Sequence, residues 1–95
     1  MRFEWDPDKA RRNRAKHGVT FELARRVFAD PLCAIFPDRF VDGEQRWHAI
    51  GTVGSSTILV VIHVYPEEDK DDRIRIIGAR RATPHEIRRY AEGET

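Results

Sequence analysis

Residues Asp72–Tyr90 read DRIRIIGARRATPHEIRRY, a strand that passes almost at once into a helix. In the first half Arg73, Arg75, Ile77 and Ala79 fall on one face and Ile74, Ile76 and Gly78 on the other, the two-residue period of a β-strand. The second half opens with Thr83 as N-cap and Pro84 at the first helical position, where its missing donor costs nothing. Glu86 at the third position completes a capping box. Arg80 and Arg81 stand at the junction, with Arg88 and Arg89 about two turns further on. Such a crowd of guanidiniums beside a helix N-terminus attracts phosphate. Arginines on a surface strand or a helix end also serve solubility alone, which is the plainer reading of each. If the alternation runs through the junction, Arg80 shares the parity of Ile74 and Ile76 and points to the apolar side, where it needs a partner or a ligand. A bulge at Gly78 would undo that expectation.

Upstream, Ser56–Tyr65 contains Ile58-Leu59-Val60-Val61-Ile62 and is nearly continuous in apolar residues, as expected of a central strand covered on both faces. An acidic turn over Pro66–Asp71 joins it to the quoted stretch. Gly54 and Ser55 make a tight hairpin turn back to a strand at Glu44–Val53, where Arg46, His48 and Ile50 alternate with Trp47, Ala49 and Gly51. Leu32–Phe36 is apolar enough for a strand, and Pro37–Gly43 reads as a polar turn. Nearer the start, Met1–Trp5 alternates as a short strand. Asp6 caps a helix opened by Pro7 and ended by Gly18, with Lys16 and His17 in the last turn where positive charge suits the dipole. Ala10 and Ala15 are its only hydrophobes, so it packs lightly and shows a basic face outward. Asn13 and His17 share one side and are expected to tie the helix to neighbouring backbone. Thr20 caps a second helix with Phe21, Ala24, Val27 and Phe28 at helical spacing, and Asp30 with Pro31 ends it. The order β-α-α-β-β-β-β-α predicts one α+β domain over residues 1–95, an antiparallel β-meander packed with two N-terminal helices and one C-terminal helix.

Composition narrows the function. No stretch is a linker, a repeat or a low-complexity run, and none approaches the ~20 apolar residues of a membrane span or resembles a signal peptide, so a soluble cytoplasmic protein is expected. Cys33 is the one cysteine, which excludes an internal disulfide and predicts a small buried hydrophobe. The formal net charge of +1 conceals a polar distribution. Residues 9–26 carry seven basic groups and one acid, residues 73–89 six and one, and residues 27–72 between them three and nine. Such a molecule offers one face to a polyanion and another to a basic or mixed partner.

Several chemistries fail on spacing. His85-Glu86 begins a zinc-protease motif, but Arg89 stands where the second histidine must be. The serines lie in a turn without a nucleophile elbow, and there is no glycine-rich phosphate loop. Acid–base and electrostatic chemistry by His, Glu and Arg remains, with no metal and no cofactor. His63 draws notice because it interrupts an apolar strand. A core histidine satisfied by backbone is its plainer explanation, and a proton-transfer group the sharper one.

Trp5-Asp6-Pro7, Lys9, Asn13, Lys16-His17-Gly18-Val19, Phe21-Glu22, Ala24, Val27-Phe28 and Asp30-Pro31 resemble the opening signature of the BrnT toxin family. Gly43-Glu44, Arg46, Gly51, the run Arg75–Thr83, and then Glu86, Arg88 and Tyr90 resemble its second half, in the right order. Gly78 stands where a serine is common, and Pro66 where an arginine often follows the central strand. The resemblance implies a RelE-like ribonuclease toxin of a type II toxin–antitoxin pair, which inhibits translation and growth. It also implies neutralisation by a BrnA-type antitoxin with a ribbon-helix-helix DNA-binding part, through which alone operator DNA is reached.

In metal-independent cleavage the ribose 2′-hydroxyl attacks the adjacent phosphate, which requires a proton acceptor, a proton donor and cations on the phosphate oxygens. Arg80 is the expected phosphate stabiliser, helped by Arg46 and Arg75, and His63 or Glu44 is the expected base. Lys16 and Arg81 are expected to hold the RNA backbone, and Trp47 and Tyr65 to stack on bases. Arg11, Arg12 and Arg14 on the first helix are expected to steer the antitoxin. The rival from another class is a non-catalytic module that binds its antitoxin and aids repression of the shared operator.

Overall fold

The computed structural model describes residues 1–66 and 72–93. In chain order they form β1 (Arg2–Glu4), α1 (Pro7–His17), α2 (Phe21–Ala24) running on as a 3-10 helix over Arg25–Ala29, β2 (Ala34–Val41), β3 (Glu44–Val53), β4 (Thr57–Val64), β5 (Arg73–Arg81) and α3 (Pro84–Ala91). The acidic turn expected after Pro66 lies at 67–71, outside the described residues. The five strands make one mixed sheet in the order β1-β5-β4-β3-β2. Strands β2 to β5 are the expected antiparallel meander, and β1 adds a parallel edge, with Phe3 opposite Ile74.

The helix ends obey the signals in the sequence. The Asp6 side chain accepts from the Asp8 amide at 3.0 Å, Thr20 from Leu23 at 3.1 Å, and Thr83 and Glu86 satisfy each other's amides as a capping box. Gly18 closes α1 in the left-handed region at φ 71°, a conformation that suits a residue without Cβ.

Two layers cover the sheet. On one face the α1–α2 layer buries Phe21, Ala24 and Val27 against Ala49, Leu59, Val61, Ile74, Ile76 and Ala79. Gly51 lies under this layer, where a Cβ would sit 2.9 Å from Val27 Cγ1 and 3.1 Å from its carbonyl oxygen, so the close approach of strand and helix depends on the missing side chain. Helix α1 buries no residue, as its composition predicts, and is held instead by Asn13. The Asn13 amide donates to the Val19 and Ala79 carbonyls at 3.0 and 2.8 Å, and its oxygen accepts from the Ala79 amide at 3.1 Å.

On the other face α3 covers a smaller cluster of Ala34, Phe36, Ile50 and Val60. Polar clamps hold it. The Tyr90 hydroxyl donates to Asp30 Oδ2 at 2.5 Å and accepts from Thr52 at 3.0 Å, while Asp30 also accepts the Thr52 and Leu32 amides. Burial pushes the Asp30 carboxyl up, and the bonds from Thr52, Tyr90 and Leu32 outweigh it, holding it below the ordinary range. Arg89 stacks on Phe36 with its guanidinium carbon 3.7 Å from the ring centroid. Cys33 packs partly buried against the α1–α2 cluster, where burial and then the Asp30 charge push its thiol up to about 11.

Two expectations need correction. The polar turn over Pro37–Gly43 is shorter: β2 runs on to Val41, irregular between Pro37 and Phe40, and only Asp42 and Gly43 turn, at φ 52° and 77°. A proline is tolerated there because β2 is an edge strand with no neighbour waiting for its amide. The alternation of β5 also breaks. Ile62 pairs with Gly78 but His63 with Ile76, so Ile77 is an extra residue in the ladder. Beyond it the phase inverts. Ala79 is buried with Ile74 and Ile76, and Arg80 turns to the opposite, α3 face, beside Val60.

Candidate active site

Strand β3 sets out the site. Its odd positions Trp47, Ala49 and Gly51 face the α1–α2 layer, and its even positions Arg46, His48 and Ile50 face the α3 side. Helix α3 covers only one end of that side. At the other end Asp38, Arg39, Arg46, His48 and Arg80 line a cavity of 360 Å³ with Ile62. A larger cavity of 590 Å³ lies at the tip of the β2–β3 hairpin, lined by Glu44, Arg46, Trp47 and Tyr65 among others. Arg46 is common to both. Its Nε is buried without a hydrogen-bond partner among the described residues, a donor left unsatisfied in a side chain that lines both cavities.

The aromatic pair is close-set, with Trp47 and Tyr65 centroids 5.9 Å apart at 67°. Behind Tyr65, His63 is 0 % exposed, packed edge-on against Phe28 and Tyr65. Its Nδ1 lies 3.2 Å from the Val61 carbonyl, which can only accept, so Nδ1 donates and Nε2 accepts from the Tyr65 hydroxyl at 3.1 Å. Burial pushes this imidazole down to about 4. His63 is therefore a satisfied core histidine with no surface to offer RNA, and it acts on the cavity only through Tyr65.

Arg80 has the partner its position requires. Its guanidinium forks onto Glu86 at 2.7 and 2.9 Å, and these bonds hold the Glu86 carboxyl down to about 2. Glu86 also caps the Thr83 amide, so the N-terminus of α3 is filled by its own side chains. Arg75 is similarly engaged: Glu4 accepts from Arg73 at 2.6 Å and from Arg75 at 2.7 Å, bonds that hold its carboxyl below the ordinary range. The other expected RNA contacts lie apart from the cavities. Lys16 flanks a hollow with Lys9, Arg12 and Ile77 on the α1 side, and Arg81 is exposed at the rung opposite Leu59. Arg11, Arg12 and Arg14 are exposed along α1, Arg11 paired with Asp8.

His48, Asp38 and Arg39 were not singled out from the sequence. His48 Nε2 lies 3.2 Å from Asp38 Oδ2. The signal was present in the shared parity of His48 and Arg46. Asp38 and Arg39 hide it, because next to Pro37 they read as a turn while β2 carries them beside His48. Among the described residues no three His, Cys, Asp or Glu side chains converge as a metal cage, and no helix is long and apolar enough to cross a membrane.

Known proteins share this framework. The family model for the ribonuclease toxin BrnT of type II toxin–antitoxin systems matches residues 5–86. A 1.1 Å crystal structure of the Brucella abortus ribonuclease toxin BrnT superposes with a TM-score of 0.68 at 30% identity, covering 87% of this chain and 97% of that one. No curated protein matches the sequence. Fold and sequence thus define the class, a ribonuclease toxin of a type II toxin–antitoxin system. Within that class the chain belongs to the BrnT family.

Proposed function

We propose that the chain cleaves single-stranded RNA without a metal ion, at the two cavities that meet on Arg46, and so arrests translation and growth in the cytoplasm. A BrnA-type ribbon-helix-helix antitoxin neutralises it. The carrying observation is the partnerless Nε of Arg46 between an arginine-lined hollow and an aromatic rim. Phosphate oxygens fit the donor, bases stack on Trp47 and Tyr65, and the 2′-hydroxyl supplies the nucleophile. Arg80 joins as a second cation once phosphate takes the place of Glu86, since a carboxylate and a phosphodiester each present two oxygens to the same guanidinium fork.

The test is incubation of purified chain with RNA in excess EDTA, with and without antitoxin. Cleavage should persist, leave 2′,3′-cyclic phosphate ends and stop when antitoxin is added. Loss of cleavage in EDTA, restored by a divalent ion, refutes the chemistry.

One observation favours a second reading: Glu86 and Glu4 already hold two of the arginines expected to bind RNA. On that reading the chain is a non-catalytic module that binds its antitoxin and assists repression, touching operator DNA only through it. A chain that binds antitoxin tightly and leaves RNA intact in the same assay selects this alternative.

A further inference from the structure

The smaller cavity holds an acid, a base and cations within one hollow. His48 Nε2 lies 3.2 Å from Asp38 Oδ2, with the two side chains 25% and 33% exposed, so both reach solvent. The charged groups around the ring are Asp38 and Arg39 from β2, Arg46 from β3, Arg80 from β5, and Glu86 of α3, bound to Arg80. We infer that His48, oriented by Asp38, is the proton acceptor of RNA cleavage, an assignment that rests on the ribonuclease reading above.

A carboxylate beside Nε2 keeps the proton of the neutral ring on that atom and leaves the Nδ1 lone pair as the base. Nδ1 takes the proton of a ribose 2′-hydroxyl, and the freed oxygen bonds to the adjacent phosphorus. The bond from phosphorus to O5′ breaks, its electron pair leaves on O5′, and O5′ takes a proton from water. The products are a 2′,3′-cyclic phosphate and a 5′-hydroxyl, with the imidazolium stabilised by Asp38 until it loses its proton to solvent. Arg46 lines the same hollow with its unpaired Nε, where it meets the charge growing on the non-bridging oxygens.

His48→Asn removes the base and keeps a polar side chain. Measured on a random-sequence RNA oligonucleotide in EDTA, its rate should fall ~100- to 10,000-fold. The acidic limb of the pH–rate profile should vanish, added imidazole should restore part of the rate, and affinity for the 2′-deoxy form of the oligonucleotide should be unchanged. Asp38→Asn should lower the rate while leaving affinity for the 2′-deoxy oligonucleotide unchanged, because the ring loses the partner that fixes its tautomer and orientation. A folded His48→Asn variant with the wild-type rate or an intact acidic limb overturns the assignment alone. If that variant does not fold, Asp38→Asn decides, and a folded variant with the wild-type rate is the overturning result. Wild-type protein that leaves RNA intact overturns the ribonuclease reading, and this assignment with it.

Discussion

His48 and His63 sit one rung apart on neighbouring strands, for His48 pairs with Ile62 and His63 with Trp47, yet their surroundings are opposite. His63 faces the helix layer and is sealed between Phe28 and Tyr65 with both nitrogens engaged. His48 faces the far side, open to solvent and set among Asp38 and three arginines. Both interrupt β-strands with a titratable ring, so residue type does not separate a structural histidine from a chemical one. Parity does, together with what the adjacent layer covers. The same division applies to charge, because the α1–α2 face is filled with hydrocarbon while the part of the α3 face left uncovered collects the polar groups.

The largest effect should appear on the open side. Arg46→Ala should slow RNA cleavage by ~100- to 1000-fold, equivalent to about 2.7–4 kcal/mol of lost transition-state stabilisation, while the melting temperature stays near wild type. Turnover beside circular dichroism decides it. A folded variant with full activity would erase the proposed distinction between the faces.

The sealed side should answer to pH instead. His63 is neutral in the folded protein down to about 4, whereas an unfolded histidine takes its proton near 6.5. The unfolded chain therefore binds a proton first. The His63 contribution is fully present above pH 6.5 and is lost as pH falls toward 4, by about 3 kcal/mol in total. Urea titrations at several pH values should show this slope in wild type and not in His63→Gln, the difference between the two removing the effect of other titrating groups.

A smaller change concerns the clamp between the two layers. Tyr90→Phe removes the donor to Asp30 and the acceptor for Thr52, and should cost about 2 kcal/mol in chemical denaturation. Hydrogen exchange should rise first in α3, since the clamp is one of few bonds holding that helix down. The smallest effect belongs to Gly78→Ser. A Cβ there would stand 3.6 Å from Asn13 Oδ1 and 3.7 Å from Ile62 Cδ1, ordinary contact distances, so thermal unfolding should shift by no more than about 0.5 kcal/mol.

The elements were legible where local chemistry fixes them. Three N-caps, the αL glycine after α1, the central apolar strand and the light packing of the first helix all follow from residues close in sequence. So does the division of β3 into two faces. What could not be read was set by pairing between distant segments. The pairing of β1 with β5 depends on residues some 70 apart in the chain. The position of the bulge, at Ile77 rather than Gly78, depends on how β4 meets β5. Of the candidate residues the sequence offers, Glu44, Arg46, Trp47 and Tyr65 line one cavity. His48 is not legible in the same way, because its partner Asp38 comes from an irregular edge strand whose sequence, with a proline and two charges, looks like a turn.

The single inserted residue at Ile77 makes the chemistry of β5 a matter of counting. Arg73 and Arg75 are odd-numbered and Arg80 is even, so a regular ladder would send them to opposite sides of the sheet. The insertion lets all three share one side, and it lets Ile74, Ile76 and Ala79 share the other. Strand length thus acts like a reading frame. Deleting Ile77 would leave a regular ladder with Arg80 and Ala79 on their present sides, whereas pairing the same residues without the bulge would drive Arg80 into hydrocarbon and lift Ala79 out of it. The bulge, and not the number of residues alone, therefore sets which side chains of β5 the site receives.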